Sequence, residues 1–140
     1  MAIQGVLRID HIAIAVRDIE AALRFYRDTL GIAPSLITDV PTEGVRIAFL
    51  PMGGPDGSKI ELLQPLDPTN SIGRFIDKHG EGQHHICLQV ADIDAALAAL
   101  QAEGVPVLDA TPRISAEGRA IFIHPKGTNG VLIELVQPAK

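Results

Sequence analysis

A single cysteine, Cys87, stands in 140 residues, so neither an intrachain disulfide nor a thiolate-rich zinc site can form. No stretch is dense in lysine or arginine, and the formal net charge is −5, which leaves no general attraction for nucleic acid. No apolar run approaches the length of a membrane span. The opening "MAIQGVLRID" has neither a long apolar stretch nor a basic leader, so a cytoplasmic protein without membrane association is expected. Against these absences stands a hydrophobic share of 46% with 21% charged residues, the balance of a globular domain large enough for a core.

The chain contains itself twice. "HIAIAVRDIEAAL" from His11 and "HICLQVADIDAAL" from His85 share eight of thirteen residues at an offset of 74. "IELLQP" from Ile60 and "IELVQP" from Ile133 share five of six at an offset of 73. Two matches at nearly one spacing define a tandem duplication. In the first copy an alternating run ends at Val16, Asp18 is placed to cap a helix, and Ile19, Ala22, Leu23 and Tyr26 give it an apolar face. Gly31 marks its end. In the second copy Asp92 caps, Ile93, Ala96, Leu97 and Leu100 form the face, and Gly104 stops it.

Three strand-like runs follow each helix, at 35–40, 44–51 and 58–65, then at 106–109, 119–124 and 130–137, punctuated by turns such as "MGGPDG" and "PKGTNG". A polar connector, 66–81, carries a helical turn near 71–79. The expected fold is α+β: two tandem β-α-β-β-β modules, about 7–65 and 81–138, joined by that linker into one domain. Their sheets are expected to form a curved mixed sheet around a metal-centred cavity.

Strand parity separates the two faces. Ile12, Ile14 and Val16 share the helix side, and His11, Ala13 and Ala15 the other. In the second copy His84, Ile86, Leu88 and Val90 go with the helix, whereas His85, Cys87 and Gln89 face away. The repeat aligns His11 with His85 rather than His84, which reads as a strand-start residue satisfied by nearby backbone. Glu61 and Glu134 each stand inside an apolar run, on the face opposite Ile60 and Ile133. A single strand histidine is most often a hydrogen-bonded structural residue, and a single glutamate on a strand can simply face solvent. Two imidazoles and two carboxylates at equivalent places in two modules point instead to a divalent cation, which removes the cost of burying the carboxylates. Nitrogen and oxygen donors without thiolate suit Co, Mn, Ni, Fe or Zn. His79 and His124 have no partner at the repeat spacing, and His124 reads as local structure.

These duplicated modules, with His on each first strand and Glu on each fourth, resemble the vicinal oxygen chelate superfamily. Within it, "GEGQHHICLQVADIDAAL", "FIHPKGTNGVLIELVQP" and "PLDPTNSIGRFIDKHGEG" are similar to the methylmalonyl-CoA epimerase family. The resemblance implies metal ligands at His11, Glu61, His85 and Glu134, and one divalent ion per chain: Co2+ first, with Mn2+, Ni2+ or Zn2+ as alternatives. It implies an acyl-CoA substrate, a homodimer, and epimerisation of methylmalonyl-CoA by removal of the C2 proton and its return to the opposite face. Glu134 is the expected catalytic base on one side and Glu61 on the other. Several members of the family carry a glutamate on the strand after "GV", where this chain has Ile47, and Glu43 lies about 13 Å away along an extended strand. Lys126, in "HPK", is a candidate contact for substrate carboxylate or CoA phosphate. Glyoxalase I, an extradiol dioxygenase and a metal-free small-molecule-binding protein are the alternatives within the same pattern.

Overall fold

The structure, a computed structural model, describes residues 2–139. Its elements follow the order β-α-β-β-β twice, with one helix between the copies. Two compact units are distinguished by their internal contacts: His11–His84, and the residues up to Asp10 together with those from His85 onward.

In the His11–His84 unit, strand β1 (Val6–Ala15, of which residues 11–15 belong here) runs parallel to β4 (Lys59–Pro65), and β3 (Val45–Pro51) joins β4 to β2 (Leu36–Val40) by antiparallel pairing. Helix α1 (Ile19–Leu23) starts at Asp18, whose carboxylate accepts from Glu20 N. Only five residues are α-helical, and the expected helix continues as a π-helix over Arg24–Thr29. It ends where Gly31, at φ +77°, donates its N–H to Arg27 O. Ile19 and Leu23 meet Val16, Ala48, Leu50 and Leu62, with Ile14, Tyr26 and Ile60 around them, so the parity assigned to β1 holds.

The opposite face of these strands has a cover of its own. Helix α2 (Ser71–His79), capped by Asn70 Oδ1 at 3.0 Å from Gly73 N, lays Ile72 and Ile76 against Ala13, Ala15, Val45, Ile47 and Leu63. Gly73 is needed there, because a Cβ would stand 2.0 Å from Pro68 O. Ile47, 1% exposed, is thereby a core residue. His84, expected to be satisfied by backbone, sets its ring edge-on to Phe75 of α2, with centroids 4.9 Å apart.

The second unit holds β5 (Gly82–Val90, from His85 on), α3 (Ile93–Ala102), β6 (Arg113–Ile114), β7 (Gly118–Ile123) and β8 (Ile133–Pro138). β5 runs parallel to β8, and β7 pairs antiparallel with β8 and β6. Ile93, Ala96, Leu97 and Leu100 of α3 pack on Val90, Ile121, Ile123 and Leu135, as the periodicity required. One strand is displaced from its expected place. Residues 106–109 do follow β7, through Leu108 N to Phe122 O and His124 N to Pro106 O, and Val107 bridges Ile123. The ladder stops because the Asp109 carboxylate, rather than a backbone carbonyl, takes the Phe122 N–H at 2.6 Å. The paired strand is then the two-residue β6 further along.

The duplicated "QP" phrase has a structural cause that sequence reading left unexplained. Gln64 Oε1 accepts from Ile19 N, and Gln137 Oε1 from Ile93 N, both at 2.9 Å. Each glutamine on the last strand of a copy caps that copy's helix. Gln137→Ala should therefore lower stability by about 0.5–2 kcal/mol, the range for a lost helix cap. Urea unfolding should show a lower midpoint at unchanged slope; an unchanged midpoint would show that the bond contributes nothing.

Candidate functional site

The interior formed by the described residues is apolar with four exceptions. Among the described residues the buried polar or charged side chains are His11, Glu61, His85 and Glu134, between 1% and 6% exposed. They are the four that the repeat singled out, and the structure brings them together as two pairs. His11 Nδ1 lies 3.0 Å from Glu61 Oε2 within one unit, and His85 Nε2 lies 3.2 Å from Glu134 Oε1 within the other.

The strands set each pair in the same way. Glu61 stands in register with Ala13, two residues past His11, and Glu134 with Cys87, two residues past His85. Parallel pairing with a two-residue stagger puts the imidazole and carboxylate on one face. The antiparallel neighbour of each glutamate is a phenylalanine, Phe49 for Glu61 and Phe122 for Glu134. These two phenylalanines are themselves 73 residues apart, a signal available in the sequence but not used.

The second pair has further partners that were not anticipated. Arg113 Nη2 donates to Glu134 Oε2 at 2.5 Å, and Arg113 Nη1 lies 3.1 Å from Asp109 Oδ2. The guanidinium carbon sits 4.2 Å from the centroid of the Phe122 ring, and that ring meets His85 edge-on at 5.2 Å. His85, Glu134, Arg113 and Phe122 thus close a ring of contacts in which each restrains the next. Arg113 stands opposite Ala120 on β7, the place that Thr38 holds opposite Ile47 in the first copy, so only one of the two pairs has a guanidinium at that position of its ladder.

Burial, and after it the negative charge of Glu134, pushes the Cys87 thiol far above the ordinary thiol range, with Asp10 and Glu117 adding to the effect. Cys87 is accordingly a small apolar side chain, packed with Ala120 and Val136. Lys126 is exposed in the 3-10 turn Pro125–Gly127. His124 Nδ1 accepts from Lys126 N at 2.9 Å and shapes that turn, as expected of a local structural residue. Glu43 lies in the turn between β2 and β3.

In each unit a dehydrated imidazole has a nitrogen within 3.2 Å of a carboxylate oxygen, and donors of these types suit a divalent ion of borderline softness. A carboxylate held off water needs either a cation or several hydrogen bonds, and a divalent ion answers that need directly.

This α+β architecture of tandem β-α-β-β-β modules, with a His on each first strand and a Glu on each fourth, defines a class. The chain belongs to the Glyoxalase/Bleomycin resistance protein/Dioxygenase superfamily, whose model matches residues 10–123. Within it the similarity is to epimerases. The ethylmalonyl-CoA/methylmalonyl-CoA epimerase of Cereibacter sphaeroides is 44% identical over 133 residues, covering 93% of this chain and 97% of that protein. A variant of the Streptomyces coelicolor methylmalonyl-CoA epimerase, solved in complex with 2-nitronate-propionyl-CoA, matches with TM-score 0.91 at 39% identity over 97% of this chain and all of that one. A methylmalonyl-CoA epimerase in complex with methylmalonyl-CoA and NH4+ matches with TM-score 0.90 at 40% identity over 96% of each chain.

The state of Cys87 gives a direct check on this interior. At mildly alkaline pH the folded protein should resist a thiol-alkylating reagent over a time in which urea-unfolded protein reacts completely. Rapid modification of the folded form would contradict the described packing.

Proposed function

We propose that this protein is a metal-dependent methylmalonyl-CoA epimerase, interconverting the 2R and 2S epimers by removing the C2 proton and returning it to the other face. The observation that carries the reading is the pair of buried imidazole–carboxylate couples, the only buried polar side chains among the described residues. Relatives 39–44% identical that act on or bind methylmalonyl-CoA or its analogue support it.

In this reading one domain of two repeats, about 7–65 and 81–138, holds one divalent ion per chain through His11, Glu61, His85 and Glu134. Co2+ is the first candidate, with Mn2+, Ni2+ or Zn2+ as alternatives. When bound, such an ion supplies electrostatic stabilisation for the negative charge that develops on the thioester oxygen. Glu134 takes the C2 proton from one epimer. Arg113 on Glu134 Oε2 fixes the carboxylate plane, so Oε1 keeps its orientation toward His85. Glu61, tied to His11 Nδ1, is first of all a ligand, and the proton-carrying role expected of it would require it to loosen. Phe122 and Phe49 flank the carboxylates and keep water away from a nascent carbanion. Lys126, exposed on its turn, is offered to the carboxylate or the phosphates of an acyl-CoA. A cytoplasmic homodimer completes the proposal; no helix among the described residues is long and apolar enough to cross a membrane.

Elemental analysis separates ligand from neighbour in the two adjacent histidines. His85→Ala should lose the metal and His84→Ala, on the face that meets Phe75, should keep it. Equal loss from both, or from neither, would remove the assignment. For the base, Glu134→Gln should keep the metal, because the amide oxygen still ligates, yet lower turnover by about 10²-fold or more. Near-normal turnover in that variant would leave Glu134 as a ligand alone.

A further inference from the structure

One position breaks the likeness of the two copies beside their carboxylates. At the repeat offset of 73 residues Glu61 matches Glu134, Phe49 matches Phe122 and Leu36 matches Asp109. The backbone keeps the match: Ser35 N donates to Phe49 O at 2.9 Å and Leu108 N to Phe122 O at 2.8 Å, one residue before Leu36 and Asp109. Glutamate and phenylalanine are thus repeated, and the third residue changes from apolar to charged.

In the second copy that charge has a partner. Asp109 pairs with Arg113, whose guanidinium carbon lies 4.2 Å from the Phe122 centroid, and His85 meets the same ring at 5.2 Å. The Phe122 ring is therefore already taken up by the protein's own cation and imidazole. The first copy is arranged differently. Ala13, Glu61, Phe49 and Leu36 stand in register across β1, β4, β3 and β2. Residues in register share a face, and Val40 and Phe49 both pack on the cluster that includes Ala13, Ile47 and Leu63, which fixes the face of this row. Exposure rises along it: Ala13 and Glu61 are buried, Phe49 is half-buried and Leu36 is 54% exposed. An apolar surface thus leads from a buried carboxylate to solvent, about 10 Å across two strand spacings.

C2 of a 2-alkylmalonyl-CoA carries a hydrogen, a carboxylate, a thioester carbonyl and an alkyl group. The alkyl group is the apolar one, and it is placed best where apolar side chains, rather than a guanidinium and a carboxylate, adjoin the glutamate. We propose that Phe49 and Leu36 receive the C2 alkyl group and set its permitted length, so that ethylmalonyl-CoA and propylmalonyl-CoA are substrates as well as methylmalonyl-CoA. The inference rests on the epimerase reading above. Phe49, one strand away from Glu61, takes the first carbon, and each further carbon extends toward Leu36, where the row is open.

The test measures kcat/KM of the metal-loaded protein for methyl-, ethyl- and propylmalonyl-CoA, together with calorimetric binding of each as its equilibrated mixture of epimers. The unmodified protein should turn over all three within about tenfold of one another, where a closed pocket would discriminate more strongly. Leu36→Ser removes apolar area at an exposed position. It should lower the propyl-to-methyl ratio of kcat/KM by about fourfold, the value of one methylene withdrawn from water, and the ratio of binding constants should fall in parallel. Leu36→Met should restore both ratios. Each ratio is read within one preparation, so a partly folded or partly loaded variant does not alter it. Rejection of propylmalonyl-CoA by more than about tenfold in the unmodified protein, ratios that stay the same in Leu36→Ser, or Met behaving as Ser would each overturn the assignment. If methylmalonyl-CoA is epimerised while those ratios stand still, the epimerase reading holds and the wall alone falls. If none of the three is epimerised, the epimerase reading itself fails and the wall falls with it.

Discussion

The constraint on which this molecule is organised is the burial of two imidazole–carboxylate pairs, one on the paired parallel strands of each unit. An isolated carboxylate in such a place would take up a proton or cost several kcal/mol. Each pair is therefore built so that the nitrogen and oxygen lie within 3.2 Å, and the residues beside them are small: Ala13 and Ala15 in one copy, Cys87 and Ala120 in the other. These small neighbours are packed in their turn, Ala13 and Ala15 with Ile72 and Ile76, and Cys87 and Ala120 with Val136, and a phenylalanine stands opposite each glutamate. Helices α1 and α3 are then placed on the other, apolar face of the strands in their own units, each held by a glutamine from the same strand that carries the glutamate.

Duplication gives two equivalent couples, and the chemistry of one reaction makes equivalence undesirable. The copies have diverged around the couples rather than in them. The second acquires Arg113, set by Asp109 against Phe122, so its glutamate is held by a guanidinium. The first has Thr38 at the matching place, opposite Ile47, which is packed beneath α2. The β6–β7 turn is held separately, by Ser115 Oγ accepting from Glu117 N and Gly118 N.

The superfamily to which the chain belongs supports several chemistries on one framework, so the framework by itself does not choose among them. The choice depends on which groups surround the His–Glu couples. In the second unit the couple has a glutamate tethered by Arg113 and an aromatic ring, Phe122, that meets both the guanidinium and His85.

Much of this was legible in the linear sequence. The offsets of 74 and 73 residues picked out His11, His85, Glu61 and Glu134, and period-two alternation put them on the face opposite α1 and α3, because side-chain direction along a strand is a local property. Strands β2, β3 and β4 and helix α2 fell within one residue of the runs read from turn residues and patterning. Where a side chain replaced a backbone partner, local reading failed. Asp109 took the Phe122 N–H and moved the paired strand, and the Gln64 and Gln137 caps join residues more than forty positions apart. Arg113 likewise carries no local mark that distinguishes it from a surface charge. Its importance comes from what long-range strand pairing sets beside it. The sequence determined the donors and the face on which they stand, and the tertiary packing decided which carboxylate is held by a guanidinium and which is not.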